Sequence, residues 1–339
     1  MRRLTGNVAG NDRQREEPPL SKTRWAAQAA ALAAMALAGC ALAARFVPIS
    51  NHIVLLAAAL SPYLMLGAVV SAVFLLAARR WIVAIVAVAV ALAMLTTQLP
   101  LYLGSTAATA ATTLRVMSGN LREGQADAAS LVRLAEQRAD VLAVQELTPQ
   151  EAGRLSQAGL DAAFPYRLLD ARDDAQGAGL WSRLPIADAR GIGGFGMPFL
   201  RARILIPGTS AGPTVVVVHL PGPWPQPIDD WRADMARLPT LLSTVAAESG
   251  DSPVLVAGDF NATWDMQPFR NLLTNGYRDA AEQSRAGIRP TFPADSWLPP
   301  VIAIDHIITR NCAATSLRTV DLPGSDHRGI VATITIPKS

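Results

Sequence analysis

The sequence predicts an α/β fold class: a mixed α/β domain that follows three transmembrane helices. Half of the residues are hydrophobic and only 17% are charged, and the apolar excess lies before residue 114. After residue 114, short apolar runs alternate with amphipathic segments, a pattern typical of sheets covered by helices. This composition excludes a disordered chain, a collagen and a coiled coil.

Three apolar stretches before residue 104 are long enough to cross a bilayer. A bilayer core of about 30 Å needs about 20 helical residues, and no charged side chain interrupts any of the three. We therefore predict spans over residues 25–44, 53–78 and 81–103. Because no charge lies within them, nothing indicates an ion or substrate path, and we interpret the spans as an anchor.

Basic residues predict the orientation of the spans. Residues 1–24 form a tail with six Lys or Arg side chains, and Arg79 and Arg80 separate the second and third spans. Because basic segments stay in the cytoplasm, we expect a multi-pass cell-membrane protein with a cytoplasmic N-terminus and an extracytoplasmic domain. The small polar residues 104–113 are expected to form a flexible linker to a domain over 114–339.

Charge and cysteine content exclude two kinds of site. Residues 114–339 carry 21 basic and 24 acidic side chains, so the basic excess of the chain lies outside the domain. The domain therefore has no bulk preference for polyanions. Cys40 and Cys312 are the only cysteines, which excludes a disulfide framework and a cysteine-rich zinc site.

Leu37–Cys40 also resembles a lipoprotein processing site, although small residues are common in packed transmembrane helices.

Polar side chains follow the predicted strands where each strand ends. Strands are predicted at 114–117, 141–144, 215–218, 254–256, 302–308 and 330–336, and helices at 131–138 and 231–247. The polar set consists of Asn120, Glu146, His219, Asp259, Asn261, Asp305, His306, Asp326 and His327. Residues at strand ends converge on one edge of a sheet, where sites are commonly built.

This set has the chemistry of a hard-cation site with acid–base groups. Glu146, with one or both of Asp259 and Asp326, offers oxygen ligands that suit Mg²⁺ or Mn²⁺. The amides of Asn120 and Asn261 add uncharged ligands or donors. A histidine beside a carboxylate exchanges protons near neutral pH. Hydrolysis of a phosphate ester needs such groups: a metal, an activated water and donors for the developing charge.

Seven short motifs follow one another along the domain. They are Leu114–Asn120, Val144–Leu147, Gly179–Ile186, Val218–Leu220, Gly258–Asn261, Ile304–Ile307 and Ser325–Arg328. In this order they resemble the endonuclease/exonuclease/phosphatase superfamily, which includes nucleases, sphingomyelinases and inositol phosphatases. The resemblance covers about residues 114–337. It implies a four-layer α/β/β/α sandwich and hydrolysis of phosphodiesters that depends on Mg²⁺ or Mn²⁺.

The resemblance also implies roles at the metal and the attacking water. Glu146 resembles the principal metal ligand, with Asn120 beside it and Asp326 as the second carboxylate at the metal. Asp259 resembles the residue that orients or deprotonates the water. Asn261 resembles its partner, which contacts the phosphate.

The histidines are assigned in the same way. His327 resembles the histidine that contacts phosphate or acts as general base, and Asp305 the carboxylate that orients it. His219 resembles the histidine near the leaving group, with a role as general acid. His306 adjoins Asp305 on a strand, so its side chain is expected on the opposite face in a structural role.

The sequence indicates the type of reaction more clearly than the substrate. His219–Gly222 departs from the pattern of abasic-site endonucleases, and Ala262–Trp264 from that of inositol phosphatases. The remaining interpretation is a phosphodiesterase of nuclease or phospholipase type, acting on nucleic acid, a phospholipid or a small phosphoester. The alternative is a non-catalytic binding module, but the eight expected positions are all filled, which favours an enzyme. No obligate protein partner is evident.

Three tryptophans bear on the substrate. Trp224, Trp264 and Trp297 are expected in loops that leave the metal-binding edge of the sheet. There they stack on bases, enter the outer leaflet of the membrane, or pack onto the sheet.

Overall fold

The computed structural model describes residues 22–104, 111–207 and 212–337. Nearly all of the predicted basic tail, and residues 105–110 of the predicted linker, lie outside the described residues. A helical part comes first, and a domain with two sheets begins at Ala111.

The helical part is an antiparallel bundle of three long helices. One shorter helix lies between the first two long helices, and another follows the third. Its helices are α1 (Lys22–Ala44), α2 (His52–Ala59), α3 (Ser61–Ala77), α4 (Trp81–Gln98) and α5 (Pro100–Leu103). One apolar cluster joins Ala31, Ala72 and Ala84, and a second joins Ala38, Ala68 and Met94. The end of α1, the start of α3 and the end of α4 therefore lie together, and the turn between α3 and α4 lies at the other end of the bundle.

In the part of the chain that the structure describes, two helices are long and apolar enough to cross a membrane, Trp25–Ala44 within α1 and the whole of α4. The second predicted span, 53–78, was wrong as one helix, because α2 and α3 qualify only as a pair bent by 70°. Pro62, in the first turn of α3, has no N–H to continue α2 but is well suited to start a helix. The apolar helices are thus confirmed, with two candidate spans, or three if the bent pair counts as one.

The domain has twelve strands within the described residues. They are β1 (Ala111–Asn120), β2 (Val141–Gln145), β3 (Tyr166–Asp170), β4 (Ala178–Ser182), β5 (Ile186–Ile192), β6 (Phe199–Ile204), β7 (Thr214–His219), β8 (Val254–Asp259), β9 (Arg278–Asp279), β10 (Asp305–Arg310), β11 (Ala313–Val320) and β12 (Gly329–Pro337). Its helices are α6 (Ala128–Arg138), α7 (Pro149–Gln157), α8 (Leu160–Ala163), α9 (Ile228–Ser249), α10 (Gln267–Arg270) and α11 (Ala280–Gln283), with a 3₁₀ turn at Asp174–Gln176.

Two six-stranded sheets pack face to face, with helices on both outer faces. The strand orders are β11-β12-β1-β2-β4-β3 and β5-β6-β7-β8-β10-β9. Buried aliphatic side chains such as Val116, Val217 and Leu255 fill the space between the sheets. Helices α6 and α7 cover the first sheet, and α9 covers the second. The predicted four-layer α/β/β/α sandwich is therefore confirmed.

One edge of the sandwich collects the ends of its central strands. β1 and β2 run parallel in the first sheet, and β7 and β8 run parallel in the second. β10 runs antiparallel to β8, so its first residue, Asp305, pairs with Asp259 at the end of β8. Asp259 in turn pairs with His219 at the end of β7. The register thus aligns three polar residues in one row across the second sheet.

The helical bundle is docked on the domain. Leu55 and Ala58 of α2 are buried in the same core as Trp231 of α9. Leu101 of α5 is buried beside the sheets, and its carbonyl accepts a hydrogen bond of 2.9 Å from the N–H of Gly287. The apolar face of α2, which the sequence assigned to a span, therefore packs on protein.

Asp265 joins the adjacent ends of two bundle helices to the domain. Its carboxylate forms a buried ion pair with Arg45, directly after α1. It also accepts a hydrogen bond of 2.7 Å from Nε2 of Gln98, the last residue of α4. Arg45 donates in addition to the carbonyl of Thr97 at 3.3 Å. This cluster, Arg45, Thr97, Gln98 and Asp265, fixes the bundle end to the domain.

Candidate active site

Glu146 follows β2 directly, and its carboxylate is held from two sides. Nδ2 of Asn120 donates to Oε1 at 2.9 Å, and the backbone N–H of Glu123 donates to Oε2 at 2.7 Å. The backbone φ of Glu146 is +59°, in the left-handed region that non-glycine residues rarely adopt. Such strain persists where the surroundings fix a side chain, often at functional sites.

Asp259 is connected to Glu146 through the same asparagine. Nδ2 of Asn120 also donates to Oδ2 of Asp259 at 3.1 Å. The backbone N–H of Asn261 donates to the other oxygen at 2.8 Å, while the Asn261 amide donates to the carbonyl of Leu220 at 2.8 Å. Burial raises the pKa of Asp259, and the nearby Asp305 raises it further. A raised pKa makes this carboxylate a better proton acceptor.

His327 and Asp305 form a buried pair next to Asp259. Nδ1 of His327 lies 2.9 Å from Oδ2 of Asp305, and its Nε2 lies 3.7 Å from Oδ2 of Asp259. Burial lowers the pKa of His327, but Asp305 and Asp259 outweigh burial and raise it. The ring therefore carries a positive charge at neutral pH, with Nε2 directed at Asp259.

Ser325 fixes the turn that carries His327. Its hydroxyl accepts from the N–H of His327 at 3.0 Å and donates to the carbonyl of Asn120 at 2.8 Å. The turn between β11 and β12 is thereby tied to the end of β1.

His219 lies between the two sheets' carboxylates. Its Nε2 is 3.7 Å from Oε1 of Glu146 and 3.9 Å from Oδ2 of Asp259. Burial lowers the pKa of His219, which favours the neutral form of the ring. A neutral imidazole still offers one N–H donor.

The donor set fits a hard divalent cation. Ligand atoms of Asp259, Asp305 and His327 lie within 4.8 Å of one another, but Asp305 and His327 are already paired. Burial raises the pKa of Glu146, and the charge of the half-buried Asp326 raises it further. Among the described residues, Glu146 and Asp259 have ion-pair contacts only with histidines, and clustered carboxylates without Lys or Arg are typical of Mg²⁺ sites.

The structure brings the predicted residues together at this edge. The contacts above connect Asn120, Glu146, His219, Asp259, Asn261, Asp305 and His327. Asp326 joins them through its charge on Glu146. The side-chain amide of Asn261 donates to the carbonyl of Leu220, and its backbone N–H donates to Asp259, so in this structure Asn261 positions Asp259.

Sequence reasoning missed two contributors to the site. Ser325 had a signal, because it lies within the Ser-Asp-His motif. Phe292 had none; its ring packs against His327, with 5.0 Å between ring centroids.

Two of the three tryptophans are exposed near this edge. Trp224 is 56% exposed and Trp297 is 91% exposed. Trp264 instead packs against the cores on both sides of the second sheet. Of the alternatives left open by the sequence, packing onto the sheet therefore applies to Trp264.

Comparisons with known proteins agree with this architecture. The family model described as "Endonuclease/Exonuclease/phosphatase family" matches residues 117–327. The structure resembles TDP2 from D. rerio in complex with a single-strand DNA product, with 21% identity and a TM-score of 0.55 over 66% of this chain and 99% of that one. It also resembles an endonuclease/exonuclease/phosphatase from Bacteroides vulgatus, with 17% identity and a TM-score of 0.53 over 67% of this chain and 100% of that one.

At these identities the structural likeness shows the fold alone. No curated protein matches the sequence significantly. The family model, however, covers more than half of the chain and includes Glu146, Asp259 and His327. The chain therefore belongs to the endonuclease/exonuclease/phosphatase family.

Proposed function

We propose that the protein is a membrane-anchored, extracytoplasmic phosphodiesterase that depends on Mg²⁺ or Mn²⁺. One observation carries the proposal: Glu146, Asp259 and the His327–Asp305 pair meet at one sheet edge, with 2.9 Å between the paired atoms. This arrangement supplies oxygen ligands, a proton acceptor and a cationic donor within reach of one phosphate.

In the proposed reaction, each residue has a separate task. Glu146, Asn120 and Asp326 would hold the metal, which when bound neutralises phosphoryl charge and lowers the pKa of water. Asp259 accepts the proton of the attacking water, whose oxygen bonds to phosphorus. Asn261 keeps Asp259 oriented.

The histidines stabilise the charge that develops. His327, held by Asp305, donates from Nε2 to a phosphoryl oxygen. Because burial lowers the pKa of His219, we assign it a hydrogen bond to the phosphate on the leaving-group side. The ester P–O bond breaks, and the leaving oxygen takes up a proton from solvent water.

The test uses the full chain, purified in detergent, with bis(p-nitrophenyl) phosphate. We expect hydrolysis with Mg²⁺ or Mn²⁺, loss of activity with EDTA, and recovery when the metal is restored. Asp259→Asn should lower kcat by about 10²–10⁴-fold. Glu136→Gln, an exposed change on α6, is the matched control. EDTA-resistant hydrolysis would refute the metal site, and absence of turnover would favour the binding module.

The apolar helices support the proposed anchoring. The domain is docked at one end of the bundle, and Arg79 and Arg80 lie at the other, as the positive-inside rule requires for an extracytoplasmic domain. A reporter fused after Ser339 should be active only in the extracytoplasmic space. Activity only in the cytoplasm would reverse the proposed orientation.

A further inference from the structure

Two loops that leave the active-site edge touch the helical bundle. The loop after His219 places Trp224 edge-on to His52 at the start of α2, with 5.0 Å between ring centroids. The loop of residues 293–301, here called the Trp297 loop, touches Tyr63 near the start of α3: the tyrosine hydroxyl donates to the carbonyl of Val301 at 2.5 Å. The site edge therefore lies next to the domain end of the bundle.

The Trp297 loop is closed at its base and apolar at its tip. Phe292 and Ile302 bridge the base, and the N–H of each donates to the carbonyl of the other at 3.0 Å. Trp297, Leu298 and Val301 are 91%, 50% and 40% exposed. Residues 296–301 carry no charge. An exposed uncharged tip of this kind is unfavourable in water and favourable at a membrane surface.

The base of the same loop belongs to the active site. The N–H of Ala294 donates to the carbonyl of Asp326 at 2.6 Å. Asp295 forms an ion pair of 3.0 Å with Arg122, whose own N–H donates to Oδ1 of Asn120 at 2.8 Å. The base of the loop is thus tied to the metal-binding edge by a hydrogen bond and an ion pair.

Aromatic side chains mark both ends of the bundle at the spacing of a bilayer. Exposed Trp25 and Trp81 lie in the first turns of α1 and α4, at the end away from the domain. Exposed Tyr63 and Tyr102 lie at the domain end. The 18 residues of α4 span about 27 Å, close to the roughly 30 Å of a bilayer core. Because tryptophan and tyrosine concentrate at membrane interfaces, the level of Tyr63 corresponds to the headgroup layer.

We propose that the Trp297 loop inserts into the membrane interface and that the active site opens onto the headgroup layer, so that the substrate is the phosphodiester of a phospholipid. This inference rests on the proposed function. Water adds its oxygen to phosphorus, one ester P–O bond breaks, and the products are a phosphate monoester and an alcohol. The acidic excess of the domain argues against long nucleic acid, whose binding draws on a basic surface.

Insertion of the loop is tested without any activity assay. In a Cys40→Ala, Cys312→Ala background, Trp297→Cys is labelled with an environment-sensitive fluorophore in nanodiscs of phosphatidylethanolamine and phosphatidylglycerol. We expect a blue-shifted emission that spin-labelled lipid quenches. Tyr166→Cys is the matched control, because Tyr166 is 40% exposed and lies far from the site. It is in register, through β4, with the first residue of β2, at the strand end opposite to the one that carries the site. Equal, water-like emission from both labels would overturn insertion.

The substrate class is tested by comparing rates on three phosphodiesters. The full chain in the same nanodiscs is assayed on the nanodisc phospholipids, on bis(p-nitrophenyl) phosphate and on single-stranded DNA. We expect phospholipid hydrolysis to exceed DNA hydrolysis. Trp297→Ala with Leu298→Ser should lower the ratio of phospholipid to soluble-ester rate about tenfold, the effect of roughly one buried apolar side chain. Tyr166→Ala with Leu205→Ser should leave this ratio unchanged.

The outcomes separate this inference from the function on which it rests. Hydrolysis of the soluble ester without phospholipid hydrolysis, or with faster DNA hydrolysis, overturns the inference and keeps the proposed phosphodiesterase. An equal decrease in the ratio of phospholipid to soluble-ester rate in both double variants also overturns the inference. No metal-dependent hydrolysis of the soluble ester refutes the proposed function itself.

Discussion

His327 and Asp305 act as one unit at the residue scale. Asp305 touches the ring at Nδ1, on the side away from Asp259, so its hydrogen bond acts on the reaction through His327. Its charge raises the pKa of the ring and fixes the direction of Nε2. The same charge also raises the pKa of Asp259. When one residue acts through another in this way, the effects of replacing them on the rate are strongly non-additive.

This coupling predicts the behaviour of a double variant. His327→Gln should lower kcat on bis(p-nitrophenyl) phosphate by about 10²–10⁴-fold. Asp305→Asn should cost less, and adding it to His327→Gln should cost much less than the product of the two single losses, with the remaining effect due to the charge of Asp305 on Asp259. Asp321→Asn, an exposed carboxylate in the same loop region, is the control. If the two losses multiply instead, Asp305 has a role of its own.

The residues of the site could be predicted because their positions follow from strand order. Asn120, His219 and Asp259 end parallel strands, and such ends meet at one edge whatever the loops do. The ion pair of Arg45 with Asp265 could not be predicted from the sequence, because it joins residues 220 positions apart and no repeating pattern connects them. The sequence does carry a weak sign of it, since Arg45 is the only charged residue between the first two predicted spans.

At the element scale, β10 separates two histidine–carboxylate pairs on its two faces. Asp305 faces the active site, and the next residue, His306, faces the opposite way, as alternation along a strand requires. Its Nδ1 lies 2.7 Å from Asp279 of β9, and its Nε2 lies 2.9 Å from the carbonyl of Ala262. Both partners accept, so the ring satisfies both only when doubly protonated. The pair ties β9 and β10 to the loop that carries Asn261.

This pair predicts a pH-dependent contribution to stability. Burial lowers the pKa of His306, but Asp279 and the Ala262 carbonyl outweigh burial and raise it above its ordinary 6.5. The contribution of the His306–Asp279 pair to the free energy of unfolding is therefore complete below about pH 6.5 and is lost as pH rises through the raised pKa of His306. The difference in melting temperature between the wild type and His306→Gln should shrink as the pH rises above about 6.5.

The matched control for this experiment is His52→Gln at the half-exposed start of α2. A wild-type advantage over His306→Gln that stays constant or grows with pH would show that the buried ring is neutral.

Hydrophobicity alone misassigned α2 for a physical reason. An apolar helix face is equally suited to lipid and to a protein core, and α2 buries Leu55 and Ala58 against the domain. The bend at Pro62 was visible in the sequence, but proline is tolerated in transmembrane helices. Only the partner surface, which forms from residues far along the chain, distinguishes the two environments.

At the scale of the whole molecule, the bundle and the domain share buried polar contacts as well as a core. The side chains of Arg45 and Asp265 are 5% and 3% exposed. Removing one partner of a buried ion pair leaves an uncompensated charge, which costs about 3–5 kcal/mol. The orientation of the domain on the bundle is therefore fixed by these contacts.

Arg45→Met should accordingly lower the free energy of unfolding in detergent by about 3–5 kcal/mol. Arg45→Met combined with Asp265→Leu should recover part of this loss, because no buried charge remains. Arg172→Met breaks an exposed pair with Asp170 and should cost about 0–1 kcal/mol. Equal effects of Arg45→Met and Arg172→Met would mean that the docked arrangement does not persist in solution.

The burial of α2 against the domain also sets an order of events during synthesis. The ribosome makes Leu55 and Ala58 long before Trp231 and the strands that cover them. At about 5–20 residues per second, this interval lasts roughly 10–40 s. During that time a newly made apolar surface has no partner from its own chain, so a chaperone or the membrane itself must shield it until the sandwich closes.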